Sequence, residues 1–280
     1  MNNPSAFEGY VAWLDVLGFK ELCAQGRLGT FFPEHIRSLV EARETPAGVN
    51  SAVAEWYFYN DLHYDVFQDT VVVCRTCKGA SGDAGGLRGI LEGCSHLFHF
   101  FLKMGVAVRG AVTYGCIERY DAPAAETAIE GRIVNGPAVL EAYEWEQKQE
   151  WVGIVLCPNL LKKDECEIPR WLQTPYTQLM NSGSQGIHAE LPILPWLVAH
   201  AHLPIKEQRC RCGRKGCDGY AIVPTRVTDA SRNDVLETLK QSCAFLERMK
   251  CAAREDSRHY YDPTLAWMKA LPAQLPQDAH

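Results

Sequence analysis

This 280-residue sequence predicts an α+β fold built on a split βαβ sheet. Three observations carry that prediction. The elements read in the order strand, helices, strand, strand, helix, strand. The run VAWLDVLGFKEL (11–22) is an apolar strand that ends on one carboxylate, Asp15, and turns into a helix. A composition of 47% hydrophobic and 22% charged residues supplies an ordinary globular core at this length.

Taken in order, residues 9–17 (GYVAWLDVL) read as a buried strand and GFKEL as the entry to a helix. A second helix is predicted from Pro33, with Ile36, Leu39 and Val40 at helical spacing. Residues 55–59 (EWYFY), a turn at NDL and residues 63–74 (HYDVFQDTVVVC) read as a hairpin. A glycine-rich loop (79–86) precedes an amphipathic helix carrying Leu87, Ile90, Leu91, Cys94, Phe98, Phe101 and Leu102. Residues 106–116 (VAVRGAVTYGC) are the next strand. A loop (119–131), a helix in VNGPAVLEAYEWEQK with Pro137 in its first turn, and a strand at 151–157 follow. Residues 158–205 are proline-rich without clear periodicity. A cysteine cluster (210–217), a strand (219–223), a helix (233–252) and a loose ten-residue tail complete the chain. Residues 8–157 read as one domain and 158–270 as an extension packed on it.

A net charge of −6 with no basic block argues against a nucleic-acid partner. No apolar run reaches the roughly 20 residues of a membrane helix. The start MNNPSAFEGY lacks the pattern of a signal peptide, so a cytoplasmic protein without a membrane partner is expected. Twelve cysteines then read as thiols or metal ligands, not disulfides. The phosphate-cradling GxxxxGK[ST] motif is absent.

In a split βαβ sheet the first and third strands are antiparallel neighbours. Asp15 near the end of one and Asp69 in the earlier half of the other fall at the same sheet edge. Two acids so placed call for a cation between them, and magnesium or manganese suits oxygen donors. The turn after Asp15 offers backbone N–H groups to phosphate oxygens. Alternatively, Asp15 caps the following helix and Asp69 satisfies a turn.

FEGYVAWLDVLGFKEL, VFQDTVVV, VAVRGAVTYG and IVNGPAVLEAYEWE, in this order, resemble the class III nucleotidyl cyclases, and among them the pyrimidine cyclases of bacterial anti-phage Pycsar systems. The resemblance implies a ferredoxin-like βααββαβ catalytic domain over 8–157, followed by an α/β extension with a Cys-rich loop. It implies a homodimer with active sites at the interface. Asp15 and Asp69, helped by the Val16 carbonyl, would hold two Mn²⁺ or Mg²⁺ ions. Leu17, Gly18, Phe19 and Lys20 would face the phosphates, although a lysine in a first helical turn also reads as solvated. The 3′-hydroxyl of a pyrimidine nucleoside triphosphate would attack its own α-phosphate, giving a cyclic monophosphate that acts on a separate effector. UTP is placed ahead of CTP, because uridylate cyclases look like the larger branch.

Departures from the wider family pattern are visible. Its helix-borne Asn and Arg correspond here to Leu140 and Glu144. Arg109 is the candidate replacement for the arginine; its alternative is a structural ion pair with a carboxylate such as Glu141 or Glu144. The purine-reading lysine corresponds to Asp65, placed by strand alternation on the same face as Asp69. A carboxylate there would accept from cytosine N4, whereas uracil O4 needs a donor such as His63, Tyr64, Tyr57 or Tyr59. These aromatic residues read equally as hairpin packing.

CRCGRKGC places Cys210, Cys212 and Cys217 in a loop that suits structural zinc, with Cys166 or His202 as a fourth ligand, or reads as reduced thiols. Cys74 and Cys77 read as core thiols, and His96 and His99 sit among helix packing positions. Three competing functions remain: a palm-type polymerase or nuclease, a degenerate cyclase domain that senses nucleotide, and a zinc-stabilised interaction module.

Overall fold

The computed structural model describes residues 5–24, 26, 62–67, 69–76, 84–103, 105–121, 132–163, 205–209, 220–224 and 229–274. The helix expected from Pro33, the strand at 55–59 with Tyr57 and Tyr59, Cys77, and the cysteine loop with Cys166 and His202 lie outside them.

Strand β1 (Ser5–Leu17) is the centre of the molecule. Tyr10, Val11, Ala12, Leu14 and Val16 on it are all buried, as a strand covered on both faces requires. Beyond a turn at Gly18, a short helix α1 (Phe19–Ala24) follows. Strands β2 (Leu62–Phe67) and β3 (Thr70–Thr76) form a hairpin, helix α2 (Ala84–Lys103) crosses back, and β4 (Ala107–Asp121) returns beside β1. The sheet order is β2-β3-β1-β4-β5, where β5 is Arg132–Asn135, and β6 (Gly153–Leu156) pairs parallel to β4. The β2-β3-β1-β4 core is antiparallel throughout, which is the split βαβ arrangement expected from the element order.

Two helices cover the faces. Helix α2 buries Leu87, Ile90, Leu91, Cys94, Leu97, Phe98, Phe101 and Leu102, the stripe legible in the sequence. Helix α3 (Pro137–Gln147) packs on β4 and β1 through Ala138, Val139, Ala142 and Glu146. Helix α4 (Pro158–Lys163) follows β6.

The hairpin is shifted from its expected place. HYDVFQDTVVVC is not one strand: Phe67 pairs with Thr70, so the chain reverses between them, with Asp69 in the turn. The turn lacks glycine and asparagine, and the residues around it have strand character throughout, so nothing in the composition marks it. Strand β4 likewise runs to Asp121, into the expected loop at 119–131, because β5 pairs with its end.

In the C-terminal extension, β7 (Ile205–Arg209) and β8 (Tyr220–Pro224) form a two-stranded antiparallel ladder. Helix α5 (Asp229–Ala252) starts earlier than expected. A 3₁₀ turn (Glu255–Tyr260) and helix α6 (Asp262–Gln274) follow, and α6 runs four residues into the expected ten-residue tail. Leu265, Trp267 and Met268 are buried, and α6 packs against α5.

Candidate active site at the end of the central strands

Asp15 is the last polar residue of β1, and register fixes its neighbours. Its partner on β3 is Thr70 and its partner on β4 is Arg109. Asp69 immediately precedes Thr70, in the turn and not within the third strand as expected. The Val16 amide donates to the Asp69 carbonyl at 2.7 Å, joining the two aspartate-bearing segments at one edge. Burial lifts the Asp15 carboxyl above its ordinary range; the Arg109 guanidinium opposes that rise and the Asp69 charge adds to it.

The donor chemistry fits divalent magnesium or manganese. Two carboxylates and the Val16 carbonyl are hard oxygen donors, and such ions complete their shells with substrate phosphates and water. Among the described residues no cluster of three His, Cys, Asp or Glu forms a closed metal cage. Leu17 and Phe19 are half-buried at the turn after Asp15, while Gly18 and Lys20 are exposed.

Arg109 does not point freely into this edge. Its Nε donates to Asp15 Oδ2 at 3.2 Å, and Nη1 donates to the Gln149 carbonyl at 3.1 Å. Glu146 Oε1 lies 2.5 Å from the same Nε, outside hydrogen-bond direction, and the Glu146 side chain has no exposed surface. The Tyr260 ring, from the 3₁₀ turn, stands 5.9 Å from the guanidinium carbon. Glu146 Oε2 accepts from Gln147 Nε2 at 2.7 Å. Burial pushes the Glu146 carboxyl up to about 7, against the pull of Arg109 and with the Asp15 charge adding to the rise.

Arg109 does pair with carboxylates, but these are Asp15 and Glu146, not the Glu141 or Glu144 offered as examples. Helical spacing is the reason. Ala138, Ala142 and Glu146 recur every four residues on the sheet-facing stripe, whereas Glu144 is exposed. Glu141 instead accepts from the Thr113 hydroxyl. Leu140, 55% exposed, and the exposed Glu144 supply neither an amide nor a guanidinium on this helix.

Strand alternation separates the residues expected to read the base. Asp65 pairs with Val72, on the face that carries Thr70, Trp13, Asp15 and Arg109, but on the outer strand of the hairpin. Asp65 and Asp69 do not share one strand, so period-two spacing does not relate them. Asp65 is buried, and its charge adds to the burial that pushes the Cys74 thiol up to about 12, which Arg119 opposes. His63, paired with Cys74, shares that face. Tyr64 lies on the opposite face: a Cβ on Gly93 of α2 would sit 3.5 Å from its hydroxyl. Tyr64 is thereby removed from the Asp15 side of the sheet.

Sequence reasoning missed Glu146, Gln149 and Tyr260. For Glu146 a signal existed, a carboxylate in register with the apolar stripe of its helix. Gln149 and Tyr260 carried none, since a loop residue and a distant aromatic declare no shared neighbour.

No family model matches the sequence, and no curated protein matches it. Solved structures of similar chain path include the adenylyl cyclase CyaB from P. aeruginosa, 13% identical over 69% of this chain and 94% of that one, with a TM-score of 0.42. The catalytic core of a rhodopsin-guanylyl cyclase with converted specificity, in complex with ATPαS, is 9% identical over 69% and 97%, with a TM-score of 0.44. A class III adenylyl cyclase-like ATP-binding protein from Pseudomonas aeruginosa is 17% identical over 57% and 35%, with a TM-score of 0.37.

Proposed function

We propose that this chain is a metal-dependent pyrimidine nucleotide cyclase, converting UTP, or else CTP, to its 3′,5′-cyclic monophosphate and pyrophosphate. The single observation that carries the reading is the adjacency of Asp15 and Asp69 at one end of the central strands, joined by the Val16–Asp69 backbone bond. The quoted sequence motifs supply the pyrimidine preference and the homodimer, with a cyclic product serving a separate effector in anti-phage defence.

Asp15, Asp69 and the Val16 carbonyl would hold two Mn²⁺ or Mg²⁺ ions. When bound, the ions supply charge neutralisation on the triphosphate and acidify the attacking hydroxyl. The chain's own residues hold the reacting groups in line. The segment Leu17–Lys20 follows Asp15 through the turn at Gly18, and its exposed Lys20 would meet the phosphates. In the reaction the 3′-oxygen forms a bond to the α-phosphorus and its proton passes to solvent. The bond from the α-phosphorus to the bridging oxygen breaks, and pyrophosphate leaves. Positioning and electrostatics account for the rate, because no covalent enzyme intermediate is needed.

Base reading falls to Asp65 and His63, on the same face as Asp15. Asp65→Ala is expected to alter the preference between UTP and CTP; an unchanged preference would move base reading elsewhere. The cysteine loop Cys210–Cys217 is proposed as a separate structural zinc site, tested by metal content of the purified protein.

A second reading, a nucleotide-binding sensor without turnover, is favoured by one observation: Arg109 is engaged by Asp15 and Glu146, and Leu140 and Glu144 supply no replacement. Incubation with each of the four ribonucleoside triphosphates and Mn²⁺, with products resolved by mass, separates the readings. One cyclic pyrimidine product, lost in Asp69→Asn, supports the cyclase. A cyclic purine keeps the reaction and discards the base assignment. Nucleotide binding without product favours the sensor.

A further inference from the structure

Among the described residues Arg109 meets Asp15, Glu146, Gln149 and Tyr260, and the contacts differ in kind. Its Nε–H points to Asp15 Oδ2 at 3.2 Å, while Glu146 Oε1 sits closer to the same nitrogen, at 2.5 Å. Nη1 is bonded to the Gln149 carbonyl, and Tyr260 flanks the guanidinium. The Gln149 side chain in turn grips the next residue of β4, accepting from the Gly110 amide at 3.3 Å and donating to its carbonyl at 2.6 Å. An arginine so held is poorly placed to travel to a phosphate. It is well placed to orient Asp15.

One cation shared by two carboxylates is a balance. Without the Glu146 charge, the whole positive charge of Arg109 would bear on Asp15 and compete with any divalent ion there. With Glu146 ionised and buried beside it, Arg109 is partly neutralised and Asp15 keeps charge for a second cation. We infer that Glu146 is a positioning residue of the metal site: it holds Arg109 in a divided pairing that leaves Asp15 able to bind a divalent ion. This rests on the proposed metal site at Asp15 and Asp69. It follows the general rule that groups behind a metal ligand set its orientation and charge.

The test is Mn²⁺ titration of the purified full-length chain at pH 8, read by loss of the free-ion EPR signal, with folding checked by far-UV circular dichroism. Glu146→Gln keeps shape and removes charge; Glu146→Asp keeps charge and shortens the reach. The expected result is at least tenfold weaker Mn²⁺ binding in Glu146→Gln, and a smaller loss in Glu146→Asp. A packing role reverses that order, because the glutamine fills the same volume and the aspartate leaves a gap. Wild-type affinity in Glu146→Gln, or a larger loss in Glu146→Asp, overturns the inference while leaving the metal site standing. Should Glu146→Gln not fold, Glu146→Asp decides alone: a loss of tenfold or more overturns the inference. Wild-type protein that binds no Mn²⁺, or binding that survives Asp69→Asn, removes the metal site and the inference with it.

Discussion

The Val16 amide bonds the Asp69 carbonyl at 2.7 Å, and this contact ties the end of the central strand to the turn of the neighbouring hairpin. Asp69 is the acceptor of that bond and Asp15 sits one residue from its donor, so the backbones that carry the two carboxylates stay together while the sheet persists. The aspartate pair is therefore a property of the fold, made before any ligand arrives.

Removing either charge should separate catalysis from stability. Asp15→Asn and Asp69→Asn are each expected to lower turnover by at least a thousandfold, a metal-ligand loss in an electrostatically driven reaction. Asp15→Asn should melt within a few degrees of wild type, since burial already disfavours its charged form. Product formation measured by mass, beside thermal melts, checks both halves. Retained turnover in one variant would take that residue out of the metal site.

Gly110 sets how closely β1 and β4 approach beside the site. A Cβ there would lie 2.5 Å from the Trp13 carbonyl oxygen and 3.2 Å from the Leu14 Cα, both backbone atoms that cannot swing aside. Gly110→Ala should therefore force the strands apart and cost about 2–4 kcal/mol by denaturant unfolding. It should also loosen the Gln149 clamp on β4. A cost under about 0.5 kcal/mol would mean the strands adjust more freely than their register implies.

Much of this arrangement is legible in one dimension. Asp15 announces itself as a lone acid on an apolar strand, and the split βαβ order puts it beside the third strand. The hairpin turn between Phe67 and Thr70 is hidden because its neighbours favour strand, so Asp69 reaches the expected edge from a turn and not from within a strand. Tyr64 differs: alternation along the strand already puts it on the face opposite His63 and Asp65, wherever the hairpin turns. Partners of Arg109 were illegible for another reason. Glu146, Gln149 and Tyr260 meet it only through tertiary packing, at separations that no local pattern records.

Glu146 carries a pH dependence whose sign can be worked out. Its carboxyl rises from 4.5 to about 7 on folding, so the folded state holds a proton that the unfolded chain has released. Stability from this group is complete below about 4.5 and is lost as pH rises to about 7. In EDTA, wild type should lose stability relative to Glu146→Gln over that window, by on the order of 2 kcal/mol. Urea unfolding of both proteins at pH 5 and pH 8 measures it. A difference that stays constant, or runs the other way, would show that Arg109 keeps Glu146 ionised throughout.

The segment from Glu255 to Gln274 is bonded to the residues just ahead of β6 and should not be removable. The Tyr260 carbonyl accepts from the Val152 amide at 3.1 Å, and the Thr264 hydroxyl donates to the Val152 carbonyl at 2.6 Å, just ahead of β6. Thr264→Val keeps the shape and strips one buried donor, so a cost of about 1–2 kcal/mol is expected, with Thr264→Ser close to wild type. Ending the chain after Arg254 would also expose the surfaces that Tyr261, Leu265, Trp267 and Met268 cover. At about 1.5–3 kcal/mol for each buried apolar side chain, that loss approaches the whole margin of a typical domain. The truncated chain should accumulate as insoluble protein. A soluble, cooperatively melting fragment would instead make residues 255–274 an accessory to a core that folds alone, and would place the true boundary of the domain before the 3₁₀ turn.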